Sequence, residues 1–219
     1  MAPFTSYALA HGLLEDQSDD AFPTVLAAWV ENSLHRETTG THFGFVWAGP
    51  ASLRCASGSF TLRSGMYFAV PGELQIAQGK GILVTRLGHR GFFHLGGPIE
   101  EIGRLRYIDG CTDSLLIPPV LKGDPCLNLL HLPPGTRQTP HTHPSLRIGL
   151  VVRGAGTCVT PAERIALKPG RAFLLRASAV HCFHTEDEPL VVVAYHPDSD
   201  FGPTHEDHPM INRTQVVQR

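Results

Sequence analysis

A chain of 219 residues is long enough for one large or two small domains with a substantial core. Its 42% hydrophobic and 17% charged residues, with 22 Gly and 18 Pro, suit a turn-rich all-β protein and argue against a helical bundle. A formal net charge of −2 gives no electrostatic reason to expect nucleic acid or an anionic membrane as partner, which leaves small molecules.

Met1 to Gly12 holds no basic region followed by a long apolar segment, so neither a secretory signal nor a transmembrane helix is expected there. Glu15 to Asp20 is acidic and polar and reads as a loop or arm. From Ala21 to Leu34 the apolar positions Phe22, Val25, Leu26, Trp29, Val30 and Leu34 fit helical spacing only in part, so helix and strand stay open. Cys55, Cys111, Cys126, Cys158 and Cys182 are odd in number and form no C-x-x-C pair. That is the usage of reduced thiols in a cytoplasmic protein, not of a disulfide framework.

An internal repeat follows. At a gapless offset of 105 residues, Gly44, Val46, Gly49, Leu62, Gly65 and Phe68 fall on Gly149, Val151, Gly154, Leu167, Gly170 and Phe173. Turn glycines and inward apolar residues recur together, as expected of one strand-and-turn pattern built twice. Between the copies, Leu95 to Pro125 carries Gly96-Gly97-Pro98, a short helix expected at Ile99 to Leu105, and the apolar run Leu115 to Pro119. It reads as a linker with one apolar segment tucked against a barrel, and the boundary falls near residue 110. In the second copy short strands are expected at Cys126–Leu132, Leu146–Val152, Thr157–Thr160, Arg164–Leu167, Arg171–Leu175, His181–Thr185 and Leu190–His196. The polar tail from Pro197 is expected to wrap the surface.

The chemistry concentrates between Gly135 and Gly154. His141 and His143 are two apart, which on an extended strand puts both imidazoles on one face, close enough to share one ion. The spacing Gly135, His141, His143, Arg147, Gly154 resembles the first signature of the cupin superfamily, in which Glu normally stands at the position of Arg147. Pro169-Gly170-Arg171, the apolar run Ala172 to Leu175 and His181 resemble the second signature, with Arg176 where the family often has Pro and Thr185 where it often has Asn. The resemblance spans Leu127 to His196.

It implies two tandem double-stranded β-helix (jelly-roll) barrels. Residues 1–110 would be a degenerate barrel with an N-terminal arm, and 111–219 a metal-binding barrel with the tail. By analogy His141, His143 and His181 are metal ligands, while Arg147 has no lone pair to give an ion. The same offset carries the site positions onto Arg36, Thr38, His42 and Ile76, which make no site. The first copy is then a support or dimerisation domain, or a second, metal-free pocket.

Three neutral imidazoles on one divalent ion leave positions open for chemistry and suit Fe(II), Zn, Mn, Ni or Cu. Resemblance to three-His cupins, which include thiol, diketone-cleaving and gentisate-type dioxygenases, favours Fe(II) and a dioxygenase acting on a small anionic substrate. A metal-assisted isomerase, lyase or hydrolase, or a non-catalytic small-ligand binder, are the alternatives. Arg147 shares parity with the two histidines and on an unbroken strand would face the pocket as a substrate anchor. A salt bridge to a protein carboxylate, or a bulge turning it to solvent, are the other readings. By alternation Phe183 should neighbour the pocket while Cys182 and His184 turn away. His131, His196, His205 and His208 could form an outer layer around the site but read rather as solvated, and Arg153 and Arg176 as flanking turns or lining an entrance. A homodimer is expected.

Overall fold

The computed structural model describes residues 2–37, 39–208, 210 and 214–217. Strands carry the fold, and one 3-10 turn at Ile108–Gly110 is the helical structure among these residues. In chain order the strands begin with β1 (Phe4–Ala8), β2 (Gly12–Gln17), β3 (Thr24–Val30), β4 (Leu34–Arg36), β5 (Gly40–Ala48), β6 (Ala51–Cys55) and β7 (Gly58–Leu62). Next come β8 (Tyr67–Pro71), β9 (Leu74–Ala77), β10 (Lys80–Leu87), β11 (His94–Gly96), β12 (Leu105–Arg106), β13 (Thr112–Ile117) and β14 (Cys126–Leu132). The last are β15 (Arg147–Gly154), β16 (Gly156–Val159), β17 (Arg164–Leu167), β18 (Arg171–Leu175), β19 (Cys182–His184) and β20 (Leu190–His196).

They form two sheet pairs. A six-stranded sheet, β11-β8-β5-β10-β3-β2, accompanies the four-stranded β4-β9-β6-β7. A seven-stranded sheet, β1-β18-β15-β20-β14-β13-β12, accompanies the three-stranded β17-β16-β19. The large sheets pack back to back. Leu26, Phe43, Phe45, Ile82 and Val84 of one meet Leu127, Leu129, Ile148, Leu150, Leu174, Val191, Val193 and Tyr195 of the other in one core. Alternate residues of the same strands face inward. Ala27, Trp29, Val46, Phe68, Val70 and Leu83 fill the interior of the first pair together with Leu53, Leu74 and Ile76.

The repeat has a physical reason. Gly44 pairs across the ladder with Phe68, and Gly149 with Phe173. In each pair the ring lies over the glycine, so that an added Cβ would stand 2.0 Å and 2.1 Å from the ring's Cζ. Gly65 and Gly170 take φ of +83° and +75° in the corresponding turns. The amide of Gly65 donates to Val46 O at 2.8 Å, and that of Gly170 to Val151 O at 2.9 Å. The halves also touch at equivalent positions, since Trp47 Nε1 donates to Val152 O at 3.1 Å, 105 residues on.

Several expectations change. Within Ala21 to Leu34, Thr24–Val30 forms the strand β3 and Leu34 opens β4; buried on both faces, β3 reads as a continuous apolar run without clean alternation. Glu15 to Gln17 belong to β2 and are not a loop. Ile99 to Leu105 forms no helix and is irregular up to β12. The stretch read as a linker includes β13, which pairs with β14 inside the seven-stranded sheet. Ahead of β2, β1 is paired along its length with β18. The start of the tail lies on the surface, with Ser199 O and Pro203 O accepting from Gly123 N at 2.9 Å and Lys122 N at 3.1 Å. All five cysteines are free. Thr38, one of the repeat-equivalent site positions, lies outside the described residues. His42 and Ile76 are fully buried, and His42 Nδ1 pairs with Thr85 Oγ1 at 2.8 Å.

Candidate metal centre

The inward faces of β14, β15, β18 and β20, capped by the loop before β15 and by β19, enclose a cavity of about 270 Å³ in the second sheet pair. Phe173, Leu175, Phe183, Leu130 and Val192 make most of its wall apolar; His141, His143, His181, Arg147, His196, Gln138, Asn128 and Asp113 supply polar groups, with Arg106 and Tyr107 at the exposed rim. The three candidate ligands converge here. Their ligand atoms all lie within 4.8 Å of one another, with ring centroids 4.5 Å apart for His141 and His181, 5.1 Å for His141 and His143, and 5.2 Å for His143 and His181.

Backbone pairing produces this convergence. His141 N donates to His181 O at 2.9 Å and His181 N to His141 O at 3.0 Å, an isolated antiparallel bridge that sets the two side chains abreast. No unbroken strand runs from His141 to Arg147. The chain bends at Pro144 and Ser145 and β15 starts at Arg147, because proline cannot donate to a ladder. His143 therefore reaches the cluster from a loop and not by strand parity.

The tautomers are fixed from outside. His141 Nδ1 lies 2.8 Å from Thr139 O and His181 Nδ1 2.9 Å from Ala179 O. A carbonyl oxygen only accepts, so each Nδ1 carries the proton and each Nε2 presents a lone pair. His181 Nε2 is buried and without a hydrogen-bond partner. Burial above all, then Arg147 and the neighbouring imidazoles, lowers His143 to about 3; burial chiefly lowers His181 to about 4. Neutral nitrogen donors with lone pairs turned toward one point fit a divalent transition metal, and no carboxylate of the described residues joins them. The other close group of potential ligands, His35, Glu37 and Glu73, is exposed at the surface, with His35 2.9 Å from Glu73.

Arg147 lines the cavity and is paired with a protein carboxylate. Its Nη1 is 3.2 Å from Asp198 Oδ1, 2.9 Å from Leu146 O, and bonded to the Ser145 hydroxyl, which also donates to Asp198. Its Nε is buried and unpartnered. Phe183 lines the cavity beside His181, while Cys182 Sγ and His184 Nε2 meet at 3.4 Å away from it, as the alternation requires. Arg153 lies outside the cavity and bonds Glu100 O and Glu101 O, and Arg176 bonds Gln17 Oε1 at 3.1 Å. His205 and His208 are exposed.

Reading the sequence misses Asp113, Asn128 and Gln138, and it prefers a solvated His196 to one near the site. His196 lines the cavity with its ring 6.4 Å from His143, and burial drives it well below the ordinary histidine range. Its parity with Val192 and Ala194 on β20 is the signal that places it there. Asp113 had none, because its strand reads as linker.

A metal-free protein should lose stability in mild acid. His143, His181 and His42, the last lowered to about 4 by burial, stay neutral in the folded state through a range where unfolded histidine, near 6.5, takes up protons. Their contribution is present above pH 6.5 and is lost as pH falls toward the folded values. Asp113, raised to about 6 by burial, acts oppositely and more weakly over this range. A net loss on the order of 3 kcal/mol between pH 7 and 5.5 is expected in urea titrations, and a flat profile would contradict the burial of these rings.

A Cupin domain model matches residues 128–196. The fold is similar to a Cupin 2 conserved barrel domain protein from Leptotrichia buccalis, with TM-score 0.61 and 14% identity over 90% of each chain. It is also similar to a putative glyoxylate-induced protein from Pseudomonas aeruginosa, with TM-score 0.63 and 13% identity over 93% of this chain and 82% of that one. A salicylate 1,2-dioxygenase from Pseudaminobacter salicylatoxidans aligns with TM-score 0.62 and 12% identity over 80% and 70%. No curated protein matches the chain. The three histidines lie within the residues that match the cupin domain, and the fold of the chain is that of cupin barrel proteins.

Proposed function

We propose that the protein is a metal-dependent cupin enzyme of two tandem barrels, residues 1–110 and 111–219, in which β1 of the first is lent to the second. In this reading it is an Fe(II) dioxygenase acting on a small anionic substrate. The observation that carries the metal is the convergence of His141, His143 and His181, with the Nδ1 protons of His141 and His181 directed to backbone carbonyls. The fold likeness to a salicylate dioxygenase supports the oxidative assignment. Fe(II) held there would supply dioxygen activation and an electrophilic centre for a chelating anion.

The chain's own residues do the rest. Arg147, held by Asp198, presents its free Nε to the substrate anion from a fixed position. Phe173, Phe183, Leu175 and Val192 receive the carbon frame and exclude water. His196 stays neutral and adds no repulsion to a bound cation. The half-buried carboxylate of Asp113 favours a second reading, in which Zn or Mn is a Lewis acid and Asp113 takes a substrate proton in an isomerase, lyase or hydrolase reaction.

Oxygen-electrode screening of small acids with the Fe(II)-loaded chain separates the two. Oxygen uptake that needs both iron and acid, and falls at least about 100-fold in His143→Ala, is expected. Turnover with Zn or Mn and no oxygen uptake would overturn the dioxygenase assignment in favour of the second reading.

A further inference from the structure

The cavity has a second pole. Asp113 on β13 and Asn128 on β14 both line it, and Asn128 Nδ2 donates to the two carboxylate oxygens of Asp113 at 3.2 Å each. An ionised carboxylate only accepts, so the amide must turn its NH2 toward Asp113 and its oxygen the other way. That oxygen, Asn128 Oδ1, is buried and has no hydrogen-bond partner. Asp113 itself has no ion pair among the described residues. Of the cations lining the cavity, Arg106 is exposed and Arg147 is bonded to Asp198.

Tyr107, which precedes β13, lines the exposed rim, and Gln138 is engaged elsewhere. Gln138 accepts from Phe183 N at 3.1 Å and points its NH2 at Cys111 Sγ, 3.9 Å away. The wall formed by β13 and β14 therefore offers acceptors and no free donor: a half-buried carboxylate and an orphaned amide oxygen. Uncompensated acceptors in an apolar cavity are costly, and a ligand that brings a donor relieves that cost.

We infer that Asp113 and Asn128 form a recognition subsite for a hydrogen-bond-donating group of the substrate, a hydroxyl or an amine. The substrate class is then a small acid with an apolar frame, its anionic end toward the histidines and Arg147 and its donor end on β13 and β14. The anionic end rests on the metal-centre reading; the donor end stands on Asp113 and Asn128 alone. Asp113 is a specificity residue, and its removal changes which acid binds rather than whether acids bind.

The test uses the full chain loaded with Zn(II), which supports no redox turnover. Dissociation constants are measured by calorimetry for matched acids: butanoate, 4-hydroxybutanoate and 4-aminobutanoate, then benzoate, 3-hydroxybenzoate and 4-hydroxybenzoate. At least one donor-bearing acid should bind at least about ten-fold tighter than its parent. Asp113→Leu should bring it to the parent's level while leaving the parent within about three-fold. Asp113→Asn, of equal size, covers the case in which the leucine variant fails to fold and should abolish the preference for the amine. Wild type without a donor preference in either series, binding of none of the six acids, or a preference that survives both substitutions overturns the inference. Repeating the series on metal-free protein separates the two claims. Parent acids that bind equally well without metal contradict the metal centre, whereas the preference ratio still reports on Asp113.

Discussion

Gly149→Ala is expected to lower stability by about 3 kcal/mol, a fall in Tm on the order of 10 °C. The new methyl would stand 2.1 Å from Cζ of Phe173, its partner across β15 and β18. That ring can yield only toward the cavity, because Phe4 stacks on it at 5.3 Å and Phe183 flanks it at 6.0 Å. Phe173 also lines the cavity, so a displaced ring should disturb acid binding as well. The double variant Gly149→Ala/Phe173→Leu should recover part of the loss. Chemical denaturation measures both, and a single-variant effect within 0.5 kcal/mol would contradict this packing.

Asp198→Asn should be comparably severe, costing about 2–4 kcal/mol. The pair it breaks is mostly buried, with side-chain exposures of 11% for Arg147 and 19% for Asp198. The substitution strands the Arg147 charge beside the cavity with only neutral acceptors around it. Adding Arg147→Met should restore most of the stability, because the penalty belongs to the unpaired charge and not to the absence of the pair. The single variant should also bind divalent metal about ten-fold more weakly. Arg147 already holds His143 and His181 toward their neutral forms, and the same field repels a cation more strongly once Asp198 no longer offsets it. Full stability in Asp198→Asn would contradict this account of Arg147.

The site was legible in outline and not in its mechanics. His141, His143 and His181 could be grouped from two spaced signatures, because turn glycines and prolines fix where each ligand loop leaves the sheet. The route by which they meet could not be read. His143 arrives from a bent loop and His141 pairs with His181 through an isolated bridge, and neither follows from strand parity. The strands of the second copy were readable because turns punctuate them. β3 was ambiguous because both its faces are buried, and β13 was hidden among the prolines and glycines that surround it.

The long-range partners were beyond any local pattern. β1 pairs with β18, with Phe4 opposite Leu175, and nothing local in the first ten residues selects that edge. Asp198 meets Arg147 across 51 positions. The offset of 105 was the one long-range signal the sequence carried. Its structural content is the two glycine and phenylalanine pairs and the contact between Trp47 and Val152.

The metal content of protein purified without chelator or histidine tag tests the central claim most directly, with wild type compared against His141→Ala and His181→Ala. Close to one equivalent of a divalent transition metal is expected, iron under the dioxygenase reading, lost in both variants while the fold persists. Wild type that holds no metal even after reconstitution, or variants that retain it, would contradict the three-histidine centre.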